Sequence, residues 1–510
     1  MVLPVSSCAS HSHCPRFASI RILPYEMNSF SLVTPDQQPL LWHSMNTFST
    51  NTLGCKVNQY ESQQIRELLE QLGLSQVEMA QEPDLVVVNT CCVTHTASAK
   101  SRQYIRKAQK LNPDATVVVC GCLPTVQIGE LNEHSRNIIA VRRQEYTAEV
   151  LTQIVKANAA GCDSESVQSF GLSTSVDAEN GFKVNCSNNI DALPKLPQLT
   201  AFKGQTRAFL KIQDGCDGYC SYCIVPQTRP HVRSKPAEAA LKEVGALVAA
   251  GHKEIVVTGV FLGAYGQESV RRKNWADGQN DKLADLLDKM AKVPNLARIR
   301  LSSLEPADVT SRLLDTFCKH RIIMPHLHLS LQSGSNAILK KMCRQYNTDD
   351  FRRKVQLIKS LLDRPAITTD IIVGFPGETD ADFEQTVNLA KEIGFAKMHV
   401  FTFSARKGTP AARMQDAVNT KVMKERSKVL RDLDMELGRQ FRQQFIGETA
   451  EILLESSEGQ PRGRSERYFM VYLEKTAQKI RKNDLVKVKL LEDSKNGVIG
   501  RVDGGCKLGL

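Results

Sequence analysis

Three cysteines fall within eight residues, Cys216-x-x-x-Cys220-x-x-Cys223, in the segment KIQDGCDGYCSYCIVP. An apolar stretch that reads as a strand, 207–213, runs directly into it. The surrounding fold must therefore end a strand where three thiols converge. Three thiolates this close can bind three corners of a [4Fe–4S] cluster and leave the fourth iron without a protein ligand. Zinc is the alternative. Structural zinc takes four ligands, usually as two CxxC-type pairs, and no second pair follows. Three sulfurs with one open position suit iron–sulfur better. The chain holds 15 cysteines in 510 residues. An odd count in so long a chain argues against the disulfide framework of a small secreted domain and for a reducing compartment with metal ligation.

A length of 510 residues suits about three domains. Apolar residues make up 42% and charged residues 24%, the proportions of a globular protein with a sizeable core. The formal net charge of +11 suggests an anionic partner without choosing one. No apolar run reaches the roughly 18 residues that span a bilayer. The longest candidate, 255–265, reads as a buried strand and turn.

Residues 1–46 differ from the rest. They carry two acids (Glu26, Asp36), two arginines (Arg16, Arg21) and many Ser, Pro and His. With no charged region before an apolar stretch, they make a poor signal peptide. They read as a disordered extension, a weak transit segment or sequence upstream of a true start at Met45. Cys8, His11, His13 and Cys14 could pass for metal ligands, but such segments seldom hold one.

From 47 to 156 strand and helix alternate. The runs 84–90 (DLVVVNT) and 115–122 (ATVVVCGC) read as buried parallel strands, and 58–72 and 98–111 as helices. This predicts an open N-terminal α/β domain. Residues 157–203, rich in Ser, Asn, Asp, Gly and Pro, read as a linker. From 204 to 439 the alternation resumes, with strands at 207–213, 254–259, 297–302, 327–332, 366–373 and 396–403. Six βα units are fewer than the eight of a full barrel, which predicts a partial, open (βα)6 barrel. A charged helix, 420–444, leads into 440–504. There, short strands at 450–456, 467–474, 485–491 and 498–502 suggest a small C-terminal β barrel.

A second constellation lies in the first domain: Cys55 in TLGCKVNQYES, Cys91 in VVVNTCCVT and Cys122 in VVVCGC. Each follows a strand and precedes a helix, so a parallel sheet would bring all three to one edge. Three converging thiolates suggest a second cluster with an open iron. Cys92 and Cys120 are the neighbours to exclude. Strand residues alternate faces, so Cys120 and Cys122 share one, and spacing alone does not choose between them. Buried structural cysteines are the competing reading.

The CxxxCxxC spacing, with Tyr222 before the last cysteine, resembles the radical S-adenosylmethionine (SAM) superfamily. The resemblance implies that SAM chelates the open iron and that an electron cleaves it to a 5′-deoxyadenosyl radical. Later segments agree. TGVFLGAYG (258–266) supplies glycines for close backbone approach to a ligand. RLSSLEP (300–306), HLHLSLQSGS (326–335) and TTDIIVGFPGET (368–379) place polar groups at strand ends, where α/β barrels bind ligands. Tyr222, Gly259, Glu305, Ser330, Gln332 and Asp370 are the candidate SAM-binding residues. Each alone is also explained as a satisfied residue at a strand end.

A cysteine-bearing first domain, this core and a terminal barrel together resemble the methylthiotransferase family, over about residues 48–504. The resemblance implies an auxiliary cluster on Cys55, Cys91 and Cys122, hence two [4Fe–4S] clusters, and a terminal RNA-binding TRAM-like barrel. TLGCKVNQYES, NTCCVTHTASAKSRQYIRKA and GVFLGAYG resemble the branch that modifies N6-threonylcarbamoyladenosine beside the anticodon of tRNA. The isopentenyladenosine branch typically reads GCQMN at the first cysteine and the ribosomal-protein branch GCPKN; neither is present. The chain departs from the family at Pro230 (usually Gly), in the long linker and around 137–146.

The implied chemistry uses SAM twice, once to methylate a sulfur on the auxiliary cluster and once to make the radical that activates C2 of the base. The resemblance also implies a tRNA anticodon stem-loop as partner and an electron donor such as flavodoxin or ferredoxin, with the sulfur source unspecified; without a bilayer-spanning run, no membrane association and a cytoplasmic home are expected. For RNA contact, 98–110 offers Lys100, Arg102, Arg106, Lys107 and Lys110 with no acid, and Tyr104 for stacking. A solvated helix face explains these equally well. Arg462, Arg464 and Arg467 read as a basic loop. Action on isopentenyladenosine or a ribosomal protein stays open. So does a non-enzymatic iron–sulfur RNA-binding protein, although an electron carrier normally fills all four ligand positions.

Overall fold

The computed structural model describes residues 45–127, 138–141, 144–159, 195–276, 280–474 and 480–503. Cys8, His11, His13 and Cys14 lie outside the described residues.

The first domain is a five-stranded parallel sheet in the order Ser75–Gln76, Thr47–Thr52, Leu85–Thr90, Thr116–Gly121, Ile138–Ala140. Helices Lys56–Gln71 and His95–Leu111 follow the first and third strands in sequence, Thr47–Thr52 and Leu85–Thr90. Every residue of Leu85–Thr90 is buried, which is why the central strand reads as an unbroken apolar run. Phe48, Leu85, Val87, Val118 and Cys120 pack with Ile65 and Leu69 on one side of the sheet. Val86, Val88, Val117 and Val119 pack with Ile105 and Ala108 on the other.

Six parallel strands form the core: Ala208–Asp214, Glu254–Gly259, Arg298–Leu301 with Ser303–Leu304, His326–Leu329, Ala366–Val373 and Lys397–Thr402. A bridge between Ile299 and Ile323 joins the two halves into one arc. This is the expected partial barrel. The segment 195–203, read as part of the linker, is instead packed. Leu199 and Phe202 are buried in the barrel's hydrophobic core, and Thr200 and Ala201 donate to Glu67 on the first helix. Leu196, Leu199, Ala201 and Phe202, interrupted by Pro, Gln and Thr, make too short a run to reveal it from sequence. Helix Thr420–Gln443 lies along the last strand, where Asp434 accepts from the Met398 amide at 2.7 Å.

The C-terminal unit is a closed five-stranded barrel in the order Thr449–Ser456, Arg462–Ser465, Met470–Leu473, Gly497–Val502, Leu485–Ser494. The basic loop expected at 462–467 is largely a strand. RGRS has no β-forming side chain to announce it, yet barrel closure demands it. A Cβ on Gly463 would lie 2.3 Å from the Leu453 carbonyl oxygen, so glycine permits the close strand contact. Arg464 pairs with Glu455 and Arg467 with Asp363, which commits both to holding the barrel in place.

The tip of this barrel stops the N-terminal end of the larger one. Tyr468 stacks on His326 with ring centroids 4.4 Å apart. The guanidinium groups of Arg207, Arg300 and Arg464 lie 5.5, 5.0 and 4.3 Å from the Tyr468 ring. Arg298 donates to the Glu451 carbonyl at 2.7 Å and Arg300 to the Glu466 carbonyl at 3.0 Å. Buried Glu254 balances Arg300 at 3.0 Å. Among the described residues, no helix is long and apolar enough to cross a membrane.

Candidate functional site

The loop after Ala208–Asp214 begins at Gly215, in the left-handed region at φ 79°. A side chain there would collide with the His231 carbonyl, 1.8 Å from an added Cβ. Cys216 then bonds back to the Arg229 carbonyl at 2.8 Å, and the Cys223 amide to the Cys220 carbonyl at 3.0 Å. Ser221 pins the loop to the far side of the barrel through the Met342 carbonyl (3.1 Å) and, by its hydroxyl, the Lys341 carbonyl (2.8 Å).

Arg344, which the sequence does not mark, completes this site. It donates to the Cys220 sulfur at 3.1 Å and to the Tyr222 hydroxyl at 3.3 Å, and its other nitrogen binds Glu305 at 2.5 Å. Arg272 grips Glu305 and Asp308 from the opposite side, at 2.5 and 2.6 Å. Burial pushes the Cys216 and Cys223 thiols up to about 12. A bound metal ion would supply the positive charge that brings them down.

A cavity of about 160 Å³ opens over this loop. Cys216, Cys220, Cys223, Tyr222, Glu305, Ser330 and Gln332, all foreseen from the sequence, line it together. Gly259 and Asp370 do not. Gly259 ends its strand against Gln213, where a Cβ would lie 3.0 Å from the Gln213 Cβ; Val260 and Phe261 beyond it reach the cavity. Asp370 lies deeper in the barrel, beside His328 and His399.

The second triplet gathers where strands of the first domain end. Cys55 caps helix Lys56–Gln71 and is exposed. Gly54 precedes it at φ 107°, so close to the next strand end that a Cβ would lie 3.1 Å from the Cys91 sulfur. Cys91 is fixed by Ser101, whose hydroxyl accepts from its amide at 3.2 Å and donates to its carbonyl at 3.0 Å. Cys122 bonds through its amide to the Thr90 carbonyl at 3.0 Å.

Gly121, at φ 87°, sets Cys120 and Cys122 on different sides of the sheet. Strand alternation stops at that glycine. Cys120 stays in the core with Phe48 and Val118, while Cys122 turns over to the opposite side, with Val119, Cys92 and Ile224. Ile224 directly follows Cys223, so the two triplets are neighbours.

Arg229 ties them together. It is buried and holds Glu61 in a two-pronged pair at 2.7 and 2.6 Å. It also reaches Asp214 at 2.9 Å and the Asn58 side chain at 3.3 Å. A hydrogen bond from Cys92, and then the Arg229 guanidinium, hold Cys122 well below the usual thiol range. Burial pushes Cys91 up to about 12. Pro230 after Arg229 leaves this turn intact: the Arg229 amide bonds to the Val225 carbonyl at 2.8 Å.

Both triplets fit an iron–sulfur cluster better than zinc. A tetrahedral zinc with bonds of about 2.3 Å holds its sulfurs roughly 3.8 Å apart. Among the described residues, only His328, Asp370 and His399 bring three ligand atoms within 4.8 Å of one another.

Residues 210–390 match the radical SAM superfamily, and residues 47–141 match Uncharacterized protein family UPF0004. A CxxxCxxC loop at the mouth of a six-stranded partial barrel is thus that of a radical SAM enzyme, a class whose cofactors are SAM and a [4Fe–4S] cluster. The chain is 37% identical to the threonylcarbamoyladenosine tRNA methylthiotransferase MtaB of Bacillus subtilis, over 88% of this chain and 94% of that one. It is 35% identical to the protein of the same name from Chlamydia pneumoniae, over 89% and 98%. It is 31% identical to the tRNA-2-methylthio-N(6)-dimethylallyladenosine synthase of Pelotomaculum thermopropionicum, over 82% and 89%. The chain belongs to the methylthiotransferase family of radical SAM enzymes.

Proposed function

We propose that this enzyme transfers a methylthio group to C2 of N6-threonylcarbamoyladenosine in the anticodon stem-loop of tRNA. The observation that carries the reading is the pairing of two cysteine triplets at neighbouring strand ends, locked across a domain boundary by Arg229 and Glu61. The higher identity to relatives named for this nucleoside supports the substrate.

Cys216, Cys220 and Cys223 would hold one [4Fe–4S] cluster and Cys55, Cys91 and Cys122 a second, which when bound supply one-electron cleavage of SAM and a place to carry sulfur. Arg344 orients Cys220 and Tyr222. Glu305, Ser330 and Gln332 offer polar groups to SAM; Glu305 is held by two arginines and so keeps a fixed position. The C2–H bond of adenine is inert to acid–base chemistry, so the chain's task is to hold the base and keep water out. The target base must leave its stack to enter. The basic helix His95–Leu111 and the terminal TRAM-like barrel would grip RNA, and a flavodoxin- or ferredoxin-type protein would supply electrons.

Mass spectrometry of tRNA nucleosides from cells with and without the gene tests the reading. Loss of the 2-methylthio form of threonylcarbamoyladenosine, with build-up of the unthiolated form, is expected. Loss of 2-methylthio-isopentenyladenosine instead would keep the chemistry and overturn the substrate.

A further inference from the structure

Below the cavity the barrel lumen carries polar groups that cluster chemistry does not use. Parallel register sets His328 beside Thr368, Asp370 beside His399 and Ile372 beside Phe401. Register partners share a face of the sheet. The intervening residues, Leu327, Leu329, Ile367, Ile371 and Met398, are buried in the surrounding hydrophobic core, so the polar set faces the lumen.

The set is organised. His328 Nδ1 lies 3.0 Å from the Thr368 hydroxyl, which leaves Nε2 aimed inward, 3.3 Å from an Asp370 oxygen. That Nε2 is buried and lacks a well-aligned hydrogen-bond partner. The His399 ring centroid lies 5.9 Å from that of His328, and His399 is open to the lumen. Lys56 follows Cys55 as the first residue of helix Lys56–Gln71, on the turn whose Asn58 side chain Arg229 of the barrel reaches at 3.3 Å; from there its ammonium charge acts on Asp370, His326 and Tyr468. No carboxylate among the described residues lies within ion-pair distance of Lys56. One pleat nearer the mouth than His399, Phe401 is 44% exposed, a free aromatic face of the kind on which bases stack.

A lumen so furnished suits an arm with an anionic end and several hydrogen-bonding groups. An apolar arm would offer no polar partner to Lys56 or His399, while His328 and Asp370 would keep each other. Sites built to hydrogen-bond a group strongly reject the analogue that lacks it.

We propose that Lys56, His399 and the His328–Asp370 pair form the receptor for the threonylcarbamoyl arm of the target base, with Lys56 holding its carboxylate. Asp370, steadied by His328, accepts from the arm's hydroxyl or ureido N–H. The inference rests on the substrate reading above and assigns the residues that would enforce it.

The test uses cluster-loaded, full-length enzyme and three anticodon stem-loops: one with threonylcarbamoyladenosine, one with the same nucleoside capped as its carboxylate methyl ester, and one with isopentenyladenosine. Wild type is expected to lose about tenfold or more in kcat/KM on the ester, mostly in KM, as befits one charge-assisted hydrogen bond. Lys56→Gln should show that loss already on the acid and none further on the ester. His399→Phe should raise KM for both. A wild type indifferent to the ester overturns the proposal without any variant, so it stays falsifiable even where Lys56→Gln disturbs Cys55. A Lys56→Gln enzyme that keeps the acid-over-ester preference overturns it too. Turnover of the isopentenyladenosine RNA alone would overturn the substrate reading itself, a failure distinct from either.

Discussion

The two cysteine triplets are built on opposite plans. Cys216, Cys220 and Cys223 lie on one loop after one strand, and their arginine, Arg344, belongs to the same barrel. Cys55, Cys91 and Cys122 come from three separate strand ends, and their arginine, Arg229, reaches in from the neighbouring domain. The first site needs a turn. The second needs a whole sheet and a docked partner. The lesson is that the second should be the more sensitive to anything that loosens the domain boundary, though it holds as many sulfurs.

The largest effect that separates them is catalytic. Cys220→Ala is expected to reduce 5′-deoxyadenosine formation to background, read by chromatography of SAM products, with roughly half of the bound iron lost. Cys122→Ala should also cost about half of the iron and abolish methylthiolated RNA, yet leave SAM cleavage in place. Equal loss of SAM cleavage in both variants would break the comparison, because the triplets would then act as one unit.

Next is the boundary itself. Removing one partner of a buried pair leaves a charge uncompensated, which costs about 3–5 kcal/mol. Glu61→Gln should therefore lower the melting temperature by several degrees and release iron from the auxiliary site before the core site. The sign of its pH dependence follows from the pair. Burial pushes Glu61 up, but Arg229 and Lys211 outweigh burial and hold it below its ordinary value of 4.5. The stabilisation is thus present above about pH 4.5 and fades as the pH falls further. Melting curves of wild type and Glu61→Gln should converge in that acid range; a constant gap would show that the charge is not what matters.

The smallest effect is electronic. Arg344→Gln removes a charged donor from the Cys220 sulfur, and such donors favour the reduced cluster. A hydrogen bond worth about 1.5 kcal/mol corresponds to roughly 60 mV for one electron. The core cluster's midpoint, followed by electron paramagnetic resonance during a redox titration, should fall by about that much, while the auxiliary midpoint stays put.

The same contrast governs what the sequence reveals. The core triplet is legible because its three sulfurs are local, and the six strands are legible because buried parallel strands are unbroken apolar runs. The auxiliary triplet is only half legible. Alternation cannot separate Cys120 from Cys122, since the answer lies in the backbone turn at Gly121. Arg344 stands 124 residues from Cys220, and nothing in the spacing of CRQYN announces it. Arg462–Ser465 escaped notice because its strand is imposed by barrel closure and not by its own side chains. Asp370 reads from sequence as a strand-end residue, but only the register shows that it meets His328 and His399 instead of the cavity wall.

The stopper that Tyr468 places in the N-terminal end of the large barrel has a kinetic consequence. It closes the bottom of the open barrel, so cofactor, base, spent fragments and product all come and go by the mouth or the open side. A molecule standing there blocks the next, and the order of arrival and departure follows from that geometry before any affinity is considered.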